Sequence, residues 1–166
     1  MTIKIYLTNL GKYNEGQLIG EWVELPTSEE ELEKALERIG INEEYEEYFI
    51  TDYETEIEGL KVGEYDNLEE LNELAELIEN LDSFELDKLN AVSEATGYDI
   101  KEIIENLDDY DFYPKMTLED LAYQFVDDGL FGSVSKQLEN YIDYEAIARD
   151  LGFDYIETDK GIIRVQ

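Results

Sequence analysis

Carboxylates are the only side chains in this sequence numerous enough to dominate its chemistry. The 166 residues include 44 Asp and Glu against 12 Lys and Arg, with no His and no Cys, for a formal net charge of −32. The chain therefore lacks an imidazole general base, a thiolate nucleophile and the usual zinc ligands. Paired carboxylates can hydrolyse glycosides, but among 44 acids a pair at a suitable separation is expected by chance. We predict no catalytic activity, no metal and no cofactor.

Calcium binding is a second chemistry that many carboxylates could support. An EF-hand loop needs oxygen ligands at fixed positions and a glycine at its sixth position. A loop starting at Asp108 would place Tyr110 and Phe112 at ligand positions. A loop starting at Asp52 would place Ile57 where the glycine is required. These mismatches disfavour calcium buffering.

The acids recur at helical spacing opposite apolar stripes, and they also fill strands and loops. Like charges three or four residues apart destabilise a helix by about 0.2–0.5 kcal/mol per pair. A sequence selected for solubility alone would settle near a net charge of about −2 to −8. The repeated unfavourable spacing therefore indicates an acidic surface with a function. The candidate surface consists of Glu29, Glu33, Glu37, Glu43, Glu44, Glu46, Glu47, Asp52, Glu54, Glu56, Glu69, Glu70, Glu73, Glu76, Asp109, Asp111, Glu119, Asp120, Asp127 and Asp128.

Three explanations compete for this charge. Adaptation to high salt usually favours Arg over Lys and Ala over Ile, whereas here Lys outnumbers Arg nine to three and Ile outnumbers Ala sixteen to seven. An acidic chaperone or inhibitor of another basic DNA-binding protein is the main alternative, although such proteins more often concentrate their acids in a flexible tail. DNA mimicry is favoured. Two copies of the chain carry 88 carboxylates and a net charge of −64, twice the values of one chain. At two phosphates per base pair, the net charge matches that of roughly 32 base pairs of duplex and the carboxylate count that of roughly 44.

Apolar periodicity predicts alternating strands and helices. Alternate apolar residues indicate a half-buried strand, and apolar residues three or four apart indicate a helix. The predicted strands are 3–8, 18–25, 48–54, 108–113, 153–156 and 162–165. The predicted helices, counted from their capping residues, are 28–40, 67–81, 83–97, 99–107, 117–128 and 143–152. Segment 9–17 is predicted to be a loop.

These elements predict an α+β chain of three small subdomains in an elongated arrangement. They are an N-terminal antiparallel sheet with a helix (1–61), a central helical bundle (62–107) and a C-terminal α+β unit (108–166). Tyr110, Phe112 and Tyr113 cluster beside Pro114 on an expected edge strand, where exposed aromatic residues often mark interfaces. We take them as the candidate dimer contact, with packing in the last subdomain's core as the open alternative.

Three ordered motifs resemble the ArdA antirestriction family. Residues 13–23 (YNEGQLIGEWV) resemble its Tyr-Asn-x-Gly-x-x-x-Gly-x-Trp signature. Residues 51–54 (TDYE) resemble a segment ending Asp-Tyr-Glu, with Thr51 where His is common. Residues 141–151 (YIDYEAIARDL) are similar to its Asp-Tyr-x-x-x-Ala-Arg-Asp-Leu segment. Within the first motif, we expect Gly16 and Gly20 to serve backbone geometry and Trp22 to lie in the core.

The resemblance implies an elongated homodimer, encoded by mobile genetic elements, that mimics DNA. It also implies that the protein binds the methyltransferase core and specificity subunit of type I restriction–modification enzymes and keeps them off DNA. We expect it to bind neither nucleic acid nor membranes. The sequence has no apolar run of the roughly 18 residues needed to span a bilayer and no secretory signal pattern, which predicts a cytoplasmic protein.

Overall fold

A computed structural model describes residues 3–165 and shows an α+β architecture with two antiparallel sheets. The strands are β1 (Ile3–Asn9), β2 (Gly20–Leu25), β3 (Tyr48–Thr55), β4 (Tyr110–Pro114), β5 (Ile156–Thr158) and β6 (Gly161–Val165). The α-helices are α1 (Leu10–Asn14), α2 (Glu29–Arg38), α3 (Leu68–Glu79), α4 (Ser83–Thr96), α5 (Ile100–Glu105), α6 (Leu118–Asp127) and α7 (Tyr144–Leu151). The predicted fold class is confirmed. None of the described helices combines the length and apolar character needed to cross a membrane.

The chain divides into two compact units, Met1–Asp82 and Ser83–Gln166. Of the helices predicted to form a central bundle, α3 belongs to the first unit and α4 and α5 belong to the second. The division into three subdomains stays a prediction. Its outermost residues, 1–2 and 166, lie outside the described residues.

The N-terminal unit is built on a three-stranded sheet in the order β2-β1-β3. β1 is central, and Ile5 lies opposite Val23 on one neighbour and Tyr53 on the other. Ile3, Ile5 and Leu7 of β1 are fully buried, as strand alternation requires when one face of a sheet covers a core. Helices α2 and α3 contact β2 and contribute further buried apolar residues.

The prediction that Trp22 lies in the core is wrong. Its neighbour Val23 is buried on the core face of β2, so Trp22 lies on the opposite, open face with 38% of its surface exposed. There it lies opposite Tyr6 of β1, with the two ring centroids 5.2 Å apart in an edge-to-face arrangement. The sequence around Trp22 alternates as a strand should, and the alternation itself excludes Trp22 from the core.

The C-terminal unit carries helices on both faces of its sheet, whose strand order is β4-β6-β5. Phe112 lies opposite Ile163 and contacts Phe84 of α4 on one face. On the other face, Ile162 packs in a cluster with Leu121 and Phe125 of α6. Because both faces are covered, the consecutive residues Ile162 and Ile163 are both fully buried.

The predicted helix starts are confirmed where a polar side chain can accept a hydrogen bond from the first turn. Such caps are formed by Ser28, Asn67, Asp99, Thr117 and Asp143.

The prediction of a loop over 9–17 is wrong in its first half, since α1 occupies Leu10–Asn14. The buried Asn9 side chain accepts a hydrogen bond from Lys12 N–H at 3.0 Å, which starts this short helix, and donates one to the Ile39 carbonyl at 3.0 Å. The second strand begins at Gly20 rather than at residue 18, and the predicted strand over 153–156 is displaced to Ile156–Thr158. The difference over residues 9–17 arises because the buried Asn9 side chain, held by its bond to Ile39, starts a helix there.

Candidate protein interface

The carboxylates lie on the surface of both units. None of the 44 acids is buried, and within the predicted acidic surface every member is exposed except Asp111, which is half-buried. The other half-buried acids of the chain are Glu21, Glu31, Glu85 and Asp87. The structure therefore presents the charge that the sequence predicts, and no large group of acids is withdrawn into a core.

The Lys and Arg side chains of the chain offset little of this negative charge. Arg38 forms the densest ion-pair cluster, at 2.8 Å from both Glu21 and Glu31, and these two carboxylates raise the pKa of its guanidinium. Lys34 pairs with Glu30 at 2.7 Å. All three carboxylates lie outside the predicted surface. Twelve cations cannot balance 44 acids wherever they lie, so a strong negative field remains around the molecule.

Helices α2 and α3 bring two acidic stripes together. Their facing sides border a groove of about 470 Å³ whose lining includes Leu32 and Leu36. The predicted surface acids of α2 (Glu29, Glu33 and Glu37) and of α3 (Glu69, Glu70, Glu73 and Glu76) are separated by more than 30 residues in sequence, and packing of both helices on the same sheet brings the two rows to one groove. The acids at this groove are Glu29 and Glu33 from α2, and Glu69, Glu73 and Glu76 from α3.

The open face of the N-terminal sheet carries further members of the predicted surface. Lys4 of β1 lies opposite Glu24 on β2 and Glu54 on β3, and its ammonium is 4.0 Å from the Glu54 carboxylate. Asp52 lies opposite Tyr6 on the same face. One lysine thus lies among three carboxylates, and the face is acidic overall.

The acids of α6 are divided between a structural and a surface role. Asp120 accepts a hydrogen bond from the backbone N–H of Thr117 at 3.0 Å in a reciprocal capping box, and this bond lowers the pKa of Asp120. Asp127 and Asp128 lie exposed at the opposite end of the helix. Acids at a helix C-terminus oppose the helix dipole, a placement that stability does not favour.

The three aromatic residues proposed for the dimer contact lie on an edge strand and also pack within their own unit. Tyr110 is buried, and burial raises the pKa of its phenol. The Phe112 ring lies 5.3 Å from that of Phe84, and the Tyr113 ring lies 5.9 Å from that of Phe125. The outer edge of β4 pairs with no strand among residues 3–165. Tyr110 thus has a core role, while Phe112 and Tyr113 are only half-buried.

Exposed apolar residues in the C-terminal unit were not predicted from the sequence. One group of them lies between α6 and α7 and just after α7, where the spacing follows neither a helix nor a strand, and consists of Leu130, Phe131, Leu138, Tyr141 and Phe153. The unit's other exposed apolar residues are Phe84, Tyr98, Tyr123, Ile156 and Val165. Apolar residues in a segment without periodicity are the only sequence feature that could have indicated the first group.

No three acids of the described residues 3–165 converge closely enough to hold a metal ion.

A family model described as antirestriction protein (ArdA) matches residues 5–164, nearly the whole chain. The match includes all three motifs and both structural units. No curated protein matches the chain.

Proposed function

The chain belongs to the ArdA antirestriction family, and from that premise we propose that it acts as a DNA mimic. ArdA is a family of antirestriction inhibitors and not of enzymes. In the proposed mechanism the protein occupies the DNA-binding site of a type I restriction–modification enzyme, contacting its methyltransferase core and specificity subunit. Incoming DNA is then excluded by competition.

The observation that carries this proposal is the exposure of nearly all 44 carboxylates on a folded α+β chain. A DNA-binding site is lined with Lys and Arg that hold phosphates, and a surface with a comparable array of negative charge offers these side chains the same kind of contact. Successive turns of α2 and α3 present carboxylates about 5.4 Å apart along each helix axis, a spacing of the same order as that between phosphates. The α2–α3 groove places two such rows side by side.

We propose that the active form is a homodimer assembled through the C-terminal unit. The outer edge of β4, which pairs with no strand among residues 3–165 and carries the half-buried Phe112, supports this assignment, because an unpaired strand edge is a template for pairing with another chain. Pairing of two copies doubles the charge to −64. It thereby extends the array of carboxylates available to the enzyme.

An acidic chaperone or inhibitor of another basic DNA-binding protein is the second candidate function. Exposed charge alone supports both, and the family match favours antirestriction. Capture of partners from an extract of cells containing a type I enzyme separates the two. Recovery of restriction–modification subunits supports the mimic, and recovery of histone-like proteins without them supports the chaperone.

The distribution of binding energy tests the mimic. Glu69→Ala or Glu73→Ala should each weaken binding to the purified methyltransferase by about 1 kcal/mol or less, since each exposed charge contributes modestly. Removing all six of Glu29, Glu33, Glu37, Glu69, Glu73 and Glu76 should weaken it cumulatively. Non-specific duplex DNA should compete with the protein for the enzyme, while the protein itself should not bind DNA. Loss of binding on removal of one acid, with the others silent, would contradict the mimic.

A further inference from the structure

A groove on the open face of the N-terminal sheet differs in chemistry from the acidic surface around it. Its volume is about 450 Å³, and its apolar lining comes from all three strands, from α1 and from the loop between α1 and β2. The apolar lining residues are Tyr6, Tyr13, Leu18, Trp22 and Phe49.

Strand register and one glycine build this groove. Tyr6 and Trp22 face each other across β1 and β2, and Tyr13 meets the edge of Phe49 with ring centroids 5.3 Å apart. A Cβ on Gly20 would lie 2.7 Å from the Tyr6 ring. The absence of a side chain at Gly20 therefore lets the Tyr6 ring lie against β2, where it forms one wall.

The apolar part of the groove lining is open to solvent. Leu18 is 68% exposed, Tyr13 is 52% exposed and Trp22 is 38% exposed. Isolated apolar residues on a surface need no explanation, but a cluster that forms a concave patch indicates a binding site. Phe49, by contrast, is buried, with 7% of its surface exposed.

Two carboxylates set the charge of the groove. Asp52 and Glu64 line it, and no Lys or Arg does. Asp52 Oδ1 accepts a hydrogen bond from Tyr53 N–H at 2.8 Å, which fixes its carboxylate. Ile50 N–H donates to the Glu64 carbonyl at 2.8 Å, which ties the Glu64 loop to β3. The Asp52 carboxylate and the Glu64 backbone are thus held at the groove by the sheet.

The aromatic ring faces and the carboxylates of the groove together favour the binding of a cationic group. The face of an aromatic ring is electronegative and attracts an ammonium or guanidinium group. The same unit already uses this interaction twice, with Lys4 Nζ 5.1 Å from the Trp22 ring centroid and Lys12 Nζ 4.2 Å from that of Tyr45. Lys4 contacts Trp22 without lining the groove.

We propose that this groove binds an arginine side chain of the protein that the acidic surface engages. A planar guanidinium can stack on the rings and donate two hydrogen bonds to a carboxylate, which an ammonium cannot do. The inference rests on the proposed function, since it takes the partner to be a DNA-binding protein whose phosphate-contacting surface contains arginine. The groove then supplies a localised anchor within a surface that otherwise binds through many weak charge contacts.

Trp22 is the single tryptophan of the chain, so its fluorescence reports directly on the groove. The isolated protein should be titrated with N-acetylarginine methylamide at constant ionic strength, and in parallel with the neutral citrulline analogue. We expect a saturable change in Trp22 emission with the arginine compound and none with citrulline. The absence of saturation, or the same curve with citrulline, would overturn the proposal.

Matched variants test whether the arginine compound binds at the groove or to the negative charge of the whole surface. Leu18→Ala removes an exposed groove wall, and Leu77→Ala makes the same substitution at an exposed position on α3 outside the groove. Leu18→Ala should weaken the arginine titration by about threefold or more, because it removes apolar contact area from the bound side chain, while Leu77→Ala should leave it unchanged. The double variant Asp52→Asn/Glu64→Gln should also weaken it. Equal effects of Leu18→Ala and Leu77→Ala would overturn the assignment.

Binding to the methyltransferase distinguishes failure of the groove from failure of the proposed function. Leu18→Ala should lower affinity at every salt concentration while leaving the salt dependence of binding unchanged, because it removes no charge. Removal of acids should instead reduce that salt dependence. Wild-type binding with no effect of Leu18→Ala would overturn the anchor alone, whereas absence of binding by the wild-type protein would overturn the mimic.

Discussion

Asn72 of α3 makes two hydrogen bonds with the backbone of Thr27, the residue before the cap of α2. Thr27 N–H donates to Asn72 Oδ1 and Asn72 Nδ2 donates to the Thr27 carbonyl, each at 2.8 Å. The two residues are 45 positions apart, and both are half-buried. This pair fixes the start of α2 against α3 and so sets the spacing of the acidic rows at their shared groove.

Replacement of Asn72 should therefore destabilise the N-terminal unit. Asn72→Ala leaves both Thr27 backbone groups without this partner, and we expect a loss of about 1–2 kcal/mol in the free energy of unfolding. Alanine's higher helix propensity offsets part of the cost. Urea denaturation followed by Trp22 fluorescence measures it. The same substitution at the exposed Asn80 should change stability by less than about 0.5 kcal/mol, and equal effects at both positions would contradict this role of Asn72.

The two glycines of the first motif should differ in what they tolerate. A Cβ on Gly20 would collide with the Leu7 backbone carbonyl, whereas nothing lies within 4 Å of a Cβ on Gly16, whose φ is +85°. Gly20→Ala should destabilise the unit by about 2–4 kcal/mol through strain that separates β1 from β2. Gly16→Ala should cost about 1 kcal/mol for its left-handed backbone. Thermal unfolding of both variants checks the order, and a larger effect at Gly16 would contradict it.

The acidic surface was predictable because it depends on residue counts and periodicity, which are local properties. The aromatic groove was not, because it depends on register: Tyr6 meets Trp22 only once β1 and β2 are paired. The error at Trp22 has another cause, because the local strand alternation already places its side chain on the face opposite to that of Val23, and the prediction followed the size of the side chain instead. The dependence on long-range contacts also explains α1, whose start depends on the buried Asn9 side chain and its bond to Ile39. The groove and α1 therefore depend on contacts between residues distant in sequence, which composition and periodicity do not specify.

Salt should stabilise the folded protein. Exposed carboxylates repel one another, and added salt screens that repulsion over about 10 Å at 0.1 M. The melting temperature, measured by circular dichroism, should therefore rise as sodium chloride increases from a low concentration. Potassium chloride at equal ionic strength is the control and should give the same rise. A flat or falling curve would mean that the surface charge does not oppose folding.

The capping box of α6 should give Asp120 a defined pH dependence. The Thr117 N–H bond lowers the pKa of Asp120 in the folded state, so its contribution to stability is present above the unfolded pKa of about 3.9. That contribution is lost as pH falls through the lower, folded pKa. The melting-temperature difference between wild type and Asp120→Asn should be constant above about pH 5 and shrink in more acidic solution. Glu119→Gln, a change outside the capping box, should show a weaker dependence, and a difference that grows on acidification would contradict the assignment.

The strand β4 provides the sharpest test of the proposed dimer. Its outer edge is unpaired among the described residues, and Phe112 is half-buried against Phe84. Phe112→Asp places a charge at this edge and should convert the dimer into a folded monomer, because a carboxylate is poorly accommodated in an apolar contact. Sedimentation velocity measures the assembly and circular dichroism measures the fold.

The matched variant is Phe153→Asp, which makes the same change at a side chain that is 86% exposed. It should leave both fold and assembly as in the wild type. An unfolded Phe112→Asp protein would show that Phe112 serves the core of its unit and would overturn its role as a contact. A folded Phe112→Asp dimer would exclude both roles. Dissociation by Phe153→Asp alone would move the contact to the chain after α7, which would contradict an interface centred on β4.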